Sequence, residues 1–499
     1  MTATKNNLSD KVVAGGTWLF GLRVSQKFLG IIRLLILARL LSPNDFGLLG
    51  ISMAILFTLE LFSTTGFDAA LIHKKENIRT YLDSAWTVTF LKGFIIFLIT
   101  FFCAPYLATF FNEPKLPPIL QTIGFVILLR SSTNIGIVYF TKEFSFNKLY
   151  TYNLIGTALD FSVAVVCALI FRNVWALILG ILAGEIAKLI SSFVLHPYRP
   201  RFHIDIEKTK ELFGYGKWVF MSNYLIFFLT QGKDLYVAKV LGTIPLGFYQ
   251  LAYKISNLTS TEISQVIVQV TFPAYSKLQN DVERTNRSFF KVLIINSIMT
   301  FPISFFLITA AHEFITIFLS EKWLPIETAM QILCLHGLIN SYNGIVGAIF
   351  QGTGSPKTIT LGSALQLITL ALLINPLSSR FGFTGTAMAI TVSSLFIMTY
   401  LTAKLKNTIH CSFSDIYRAI ILQIVSSGIM SVFIFYALRE LPINIFTFVT
   451  VTVTSGFTYL ITLYLLDKTF HFRILDTFTE LIRQRFSKFQ LIMKILDKL

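Results

Sequence analysis

Five basic residues sit where a bilayer least tolerates them. Arg23, Lys27, Arg33, Arg130 and Lys233 all fall inside long apolar runs. An ionised group deep in hydrocarbon costs a few kcal/mol or more, so it faces a cavity or a partner rather than lipid. Arg23 and Lys27 are one helical turn apart and share a face, and Gly30 lets the helix bend and re-aim Arg33. The arginine fork donates two hydrogen bonds at once to phosphate oxygens. The chemistry expected is therefore recognition of an anionic, phosphate-bearing ligand inside a membrane cavity. Arg130 heads the polar run Arg130-Ser131-Ser132-Thr133-Asn134, which suits a water-filled wall, with Ser131 and Asn134 as candidate cavity groups. His336, Asn340, Ser341 and Asn343 form a similar strip in a later run, and Lys92 and Lys254 are further intramembrane bases. Two intramembrane acids, Asp234 and Glu60, are candidates for coupling to an ion gradient; Asp234 also adjoins Lys233 and can neutralise it.

Plainer roles compete for several of these charges. Arg39, Lys217 and Lys239 lie near run ends, where long side chains reach the headgroups. Glu185 and Lys188, three apart, are placed to pair with each other. No nucleophile–base set and no metal-ligand spacing is present, and the four cysteines are scattered, so neither an enzyme nor a bound cofactor is expected. The run Gly352-Thr353-Gly354-Ser355-Pro356-Lys357-Thr358 has the wrong spacing for a phosphate loop and reads as a turn.

The elements that must hold these residues are membrane helices. The chain has 499 residues, 54% hydrophobic and 14% charged, with mean hydropathy +0.67. Soluble domains are about 25% charged. About fourteen apolar spans are expected, near 13–41, 46–67, 84–110, 117–140, 149–171, 174–196, 212–240, 245–272, 289–319, 325–350, 358–379, 382–403, 416–438 and 443–466. Nothing at the start reads as a cleavable signal.

The first span recurs. Gly16, Trp18, Phe20, Phe28, Leu29, Leu35, Ala38, Leu41 and Gly47 are answered without a gap by Gly216, Trp218, Phe220, Phe228, Leu229, Leu235, Ala238, Leu241 and Gly247. Arg33 and Arg39 are answered by Lys233 and Lys239. This predicts an all-α integral membrane protein with two six-helix lobes in parallel repeat, 1–196 and 197–411. Arg33 and Lys233 would then approach from opposite lobes. Two extra helices over 412–467 and an amphipathic basic tail over 468–499, lying on anionic lipid, complete the plan. Bundles duplicated in this way are the usual build of transporters that rock around a central site.

The formal charge of +16 is mostly topology rather than a nucleic-acid surface. Lys5 and Lys11, then Lys74, Lys75 and Arg79, then every later even-numbered joint are basic, while the odd joints carry isolated bases. The positive-inside bias places both termini in the cytoplasm.

A family resemblance joins these readings. Ala38-Arg39-Leu40-Leu41-Ser42-Pro43-Asn44-Asp45-Phe46-Gly47 and Ala69-Ala70-Leu71-Ile72-His73-Lys74-Lys75 look like the opening of bacterial polysaccharide flippases. Asn112-Glu113-Pro114-Lys115-Leu116, Phe272-Pro273-Ala274-Tyr275-Ser276-Lys277-Leu278-Gln279 and Trp323-Leu324-Pro325 resemble later signatures of the same group, in the same order. The group is the Wzx-like lipopolysaccharide, colanic acid and teichuronic acid exporter branch of the multidrug/oligosaccharidyl-lipid/polysaccharide superfamily. The resemblance implies a V-shaped two-lobe bundle in the bacterial inner membrane. It implies an undecaprenyl-diphosphate-linked oligosaccharide as substrate, turned between leaflets by alternating access and driven by an H+ or Na+ gradient. Polysaccharide polymerase and ligase machinery are the partners it suggests, besides membrane lipid. Two alternatives stay open: a drug or organic-cation antiporter of the same superfamily, and a membrane glycosyltransferase or polymerase. The first should show intramembrane acids in place of surplus bases. The second should carry paired carboxylates on a sizeable outside loop.

Overall fold

The computed structural model describes residues 2–62, 78–143, 145–205, 227–442 and 444–470, with side chains from residue 21 onward except those of Phe62 and Thr259. The segment carrying Trp218, the Ala69–Lys75 signature and the basic tail beyond 470 lie outside the described residues. What is described is helical, with no strand.

The helices are α1 (Thr2–Leu40), α2 (Pro43–Phe62), α3 (Arg79–Phe111), α4 (Leu116–Ser131), α5 (Val138–Lys142), α6 (Phe146–Phe171), α7 (Trp175–Leu195) and α8 (Lys233–Val240). They continue as α9 (Thr243–Ser256), α10 (Gln265–Leu278), α11 (Val282–Thr309), α12 (Ala311–Phe314), α13 (Glu327–Gly352), α14 (Pro356–Ile409), α15 (Phe413–Glu440) and α16 (Ile445–Phe470). Among the described residues nine stretches are long and apolar enough to cross a membrane, or ten if α4 and the segment Ile135–Lys142, bent by 62° against it, form one span. α1 and the base-bearing stretch 227–278 are not among the nine. The 54 residues of α14 would be roughly 80 Å long if straight, far beyond a bilayer of about 30 Å. Gly382 (φ 59, ψ −141) breaks α14 in the left-handed region and divides it into two arms.

Two compact units result, Met1–Gln250 and Leu251–Leu499. In the first, α6 and α7 pack through small residues at four-residue spacing. Gly156, Asp160 and Ala164 on α6 meet Gly180 and Gly184 on α7, so closely that a Cβ on either α7 glycine would press on Asp160. Without a hydrophobic drive between helices in lipid, such close backbone packing supplies the association. α2 and α9 cross with still less clearance. A Cβ on Gly47 would overlap the carbonyl of Thr243, and a Cβ on Gly247 would overlap the carbonyl of Pro43. Gly50 likewise abuts the Gln250 side chain. These partners exchange positions offset by 200 residues (243 against 43, 247 against 47), the offset of the sequence repeat.

The second unit is held by apolar clusters and a buried neutral polar layer. Asn296 of α11 donates to Ser341 of α13 at 2.7 Å and accepts from Ser264 at 2.8 Å. On α15, Gln423, Ser426 and Ser427 are fully buried, and among the described residues neither the amide of Gln423 nor the two hydroxyls have a hydrogen-bond partner. Replacing an unsatisfied buried amide by an apolar group of like size is neutral or better. Gln423→Met is accordingly expected to leave thermal stability in detergent unchanged or raise it by about 1 kcal/mol. A clear loss on melting would show that the amide is satisfied in the folded protein.

Candidate functional site

The first unit carries a half-open cavity of about 440 Å³ whose walls come from five elements. α2 contributes Glu60, α3 contributes Trp86 and Lys92, α4 contributes Arg130 and Ser131, and α6 contributes Tyr152, with the Ile135–Lys142 segment closing one side. The sharp break after Ser131 is what brings Arg130 to the void. Ser131 and Ser132 return their hydroxyls to carbonyls of the preceding turn, the first at 2.9 Å to Ile127 and the second at 2.6 Å to Leu128. Asn134 then caps the following 3-10 turn by accepting from the Gly136 amide at 2.9 Å. Such self-satisfaction lets a helix end inside a membrane bundle.

Arg130 spreads its fork over two carboxylates. Nη1 donates to Glu60 at 3.0 Å and Nη2 to Glu185 at 3.3 Å. Glu185, only 8% exposed, also accepts from Lys188 at 3.0 Å, one turn along α7. The pairing of Glu185 with Lys188 expected from spacing is present, and Arg130 joins it.

The other candidate residues are placed as follows. Arg33 of α1 donates Nη2 to Asp160 of α6 at 2.9 Å, beside a second tie from Gln26 to Thr157 at 3.1 Å. Arg23 and Lys27 are exposed on α1. Lys233 is buried; it donates to the Thr230 carbonyl at 2.6 Å and to Asp234 at 3.2 Å, and lies 5.7 Å from the centre of the Tyr249 ring. Asp234 also accepts from Gln250 at 3.0 Å. Asn134 is fully buried and donates to the Tyr198 carbonyl at 2.6 Å, so it anchors the segment after α7 rather than lining the cavity. That segment runs along α3, with the Arg201 amide on Asp83 at 2.8 Å and the His203 amide on Thr87 at 3.1 Å. His336 of α13, in the second unit, is buried against Ser394 at 2.9 Å; Asn343 donates to the Ser394 carbonyl at 3.4 Å; Asn340 and Lys254 are exposed. Lys239 caps the Phe110 carbonyl at 2.5 Å.

The structure thus gathers Arg130, Glu60, Lys92 and Ser131 at one void. Sequence reasoning missed Asp160 as the partner of Arg33, and Glu185 as a second partner of Arg130. The signal available was the presence of an intramembrane acid for each of these bases. Arg33→Ala, which removes the ion pair to Asp160, is expected to cost roughly 2 kcal/mol of stability. Arg33→Ala/Asp160→Ala should recover most of that loss, and additive losses in a double-mutant cycle would show that the pair is not coupled.

Comparison with known proteins agrees with an all-helical, multi-pass bundle. The lipid II flippase MurJ in its inward closed conformation superposes with TM-score 0.72, covering 92% of this chain and 99% of that one at 16% identity, which establishes a shared fold. The chain matches the polysaccharide biosynthesis protein family over residues 36–328, a stretch containing Glu60, Lys92 and Arg130. It is 26% identical over 347 residues to the lipopolysaccharide biosynthesis protein WzxC of Escherichia coli (strain K12), spanning 69% of this chain and 70% of that protein. Similarity to the succinoglycan biosynthesis transport protein ExoT of Rhizobium meliloti (strain 1021) is 20% over 300 residues, spanning 60% of this chain and 61% of that one. This chain belongs to the polysaccharide biosynthesis protein family.

Proposed function

We infer that the protein flips an undecaprenyl-diphosphate-linked oligosaccharide repeat unit from the cytoplasmic to the outer leaflet of the bacterial inner membrane. The observation that carries this reading is the Arg130 cavity, a largely apolar void with two bases on its wall, in a chain whose relatives are named for polysaccharide biosynthesis and transport. Arg130 is the central diphosphate-binding residue, with Lys92 beside it on the same void. Arg23, Lys27, Arg33 and Lys233 complete the cationic set, the last two from behind carboxylate partners. Residues 1–196 and 197–411 act as the two lobes of alternating access, with both termini cytoplasmic and Glu60 and Asp234 as the ion-coupling acids.

The test is flipping in proteoliposomes loaded with an undecaprenyl-diphosphate oligosaccharide, with and without imposed proton and sodium gradients. Protein-dependent movement accelerated by one gradient is expected, and that gradient names the coupling ion. Efflux of a small organic cation with no lipid movement would overturn the reading.

A further inference from the structure

The two carboxylates on Arg130 are not equivalent. Glu60 lines the cavity and is 29% exposed, whereas Glu185 lies behind the wall, 8% exposed, and is held by Lys188 of its own helix. Arg130 itself is 47% exposed, on the void side. The charges on the cavity wall are Lys92 and Arg130 against Glu60. With Glu60 in place the wall carries one net positive charge. With Glu60 withdrawn it carries two, which matches a doubly charged diphosphate diester. Behind the wall, Glu185 and Lys188 already balance each other. In a low-dielectric site the arrangement that leaves no net charge is favoured, since an uncompensated buried charge is costly.

We propose that Arg130 binds the diphosphate by carboxylate exchange: Glu60 is the leaving partner, and Glu185 is a positioning residue that keeps the guanidinium aimed at the void throughout. Phosphate oxygens take the Nη1 edge that Glu60 occupies, while Nη2 stays on Glu185. The water-accessible acid gives way because its carboxylate is rehydrated on leaving, whereas Glu185, 8% exposed, would lose the Arg130 donor with little solvent to replace it. This assignment rests on the reading that the substrate carries a diphosphate, and it gives two neighbouring acids effects of opposite sign.

The experiment measures binding of undecaprenyl diphosphate to the purified full-length protein in nanodiscs, with undecaprenol as the control lipid. Glu60→Gln removes the competing anion and is expected to tighten binding by about threefold, the scale of a partly exposed ion pair. Glu185→Gln releases Arg130 from its anchor and is expected to weaken binding by about tenfold. Undecaprenol binding should be the same in all variants. Should Glu185→Gln fold poorly, Glu185→Gln/Lys188→Gln removes the stranded base as well and carries the same expectation. Weaker binding in both single variants, or no change in either, overturns the exchange. A wild-type protein that does not distinguish undecaprenyl diphosphate from undecaprenol overturns the diphosphate reading itself.

Discussion

Arg130→Ala is expected to lower flipping of the lipid-linked oligosaccharide by about a hundredfold at matched membrane levels. Truncating one member of a hydrogen-bonded charge constellation costs about 2–5 kcal/mol. Here the loss is compounded because Glu60 and Glu185 are left on either side of the site without the cation they share. The void would change from net positive to neutral, with Lys92 facing Glu60, and an anionic headgroup would lose its charge-assisted arginine donor. Arg130→Lys keeps the charge but not the planar fork, so it should recover only part of the activity. Flipping rates in proteoliposomes, with thermal melting of each variant in detergent, separate transport from folding. Wild-type rates for Arg130→Ala would remove this cavity from the mechanism.

Gly47→Val and Gly247→Val are each expected to abolish accumulation of folded protein. At both positions a Cβ would overlap a backbone carbonyl of the crossing helix, Thr243 in one case and Pro43 in the other. A flexible side-chain end can move aside; a carbonyl held in a helical turn cannot do so without displacing the helix. Overpacking typically costs about 1–3 kcal/mol, and clashes with rigid backbone lie at or above the top of that range. Small-residue crossings of this kind are also where membrane helices gain their association energy, so the substitution removes a contact as well as adding a clash. Gly30→Val, where nothing lies within 4 Å of an added Cβ, is the matched control and should accumulate normally. Membrane levels of a fluorescent fusion and size-exclusion profiles report the outcome. Normal monodisperse protein from Gly47→Val would show that α2 and α9 do not cross at this distance.

The same two sites show what could be read from residue order. Gly47 and Gly247 were visible as members of an ungapped repeat, and the repeat signalled duplication. Their contact with each other's helices was not visible, because matching positions say nothing about which surfaces meet. Arg130 stood out as an ionised residue in an apolar run, and burial cost alone marked it as a cavity residue. Asn134, four residues on in the same polar run, looked equally suited to the cavity. Its amide instead holds the Tyr198 carbonyl, because the chain turns after Ser131 and points the two side chains to different neighbours. Lys233 gave the same intramembrane signal as Arg130, yet lies buried among Thr230, Asp234 and Tyr249.

Residue order alone was enough for the solvent and the axis: apolar runs of span length put this chain in a bilayer, and the distribution of bases along it gave an expected orientation. Helical rise converts residue number into depth, so the depth of each charge was legible. The pairing of charges was not. Arg33, Arg130 and Lys188 could each have met Glu60, Asp160 or Glu185 at comparable depth, and hydropathy is blind to helix rotation and to which helices are neighbours. Only the packed helices decided it: α6 lies against both α1 and α7 through its small-residue stripe, giving Asp160 to Arg33 and leaving Glu185 to be shared by Lys188 and Arg130.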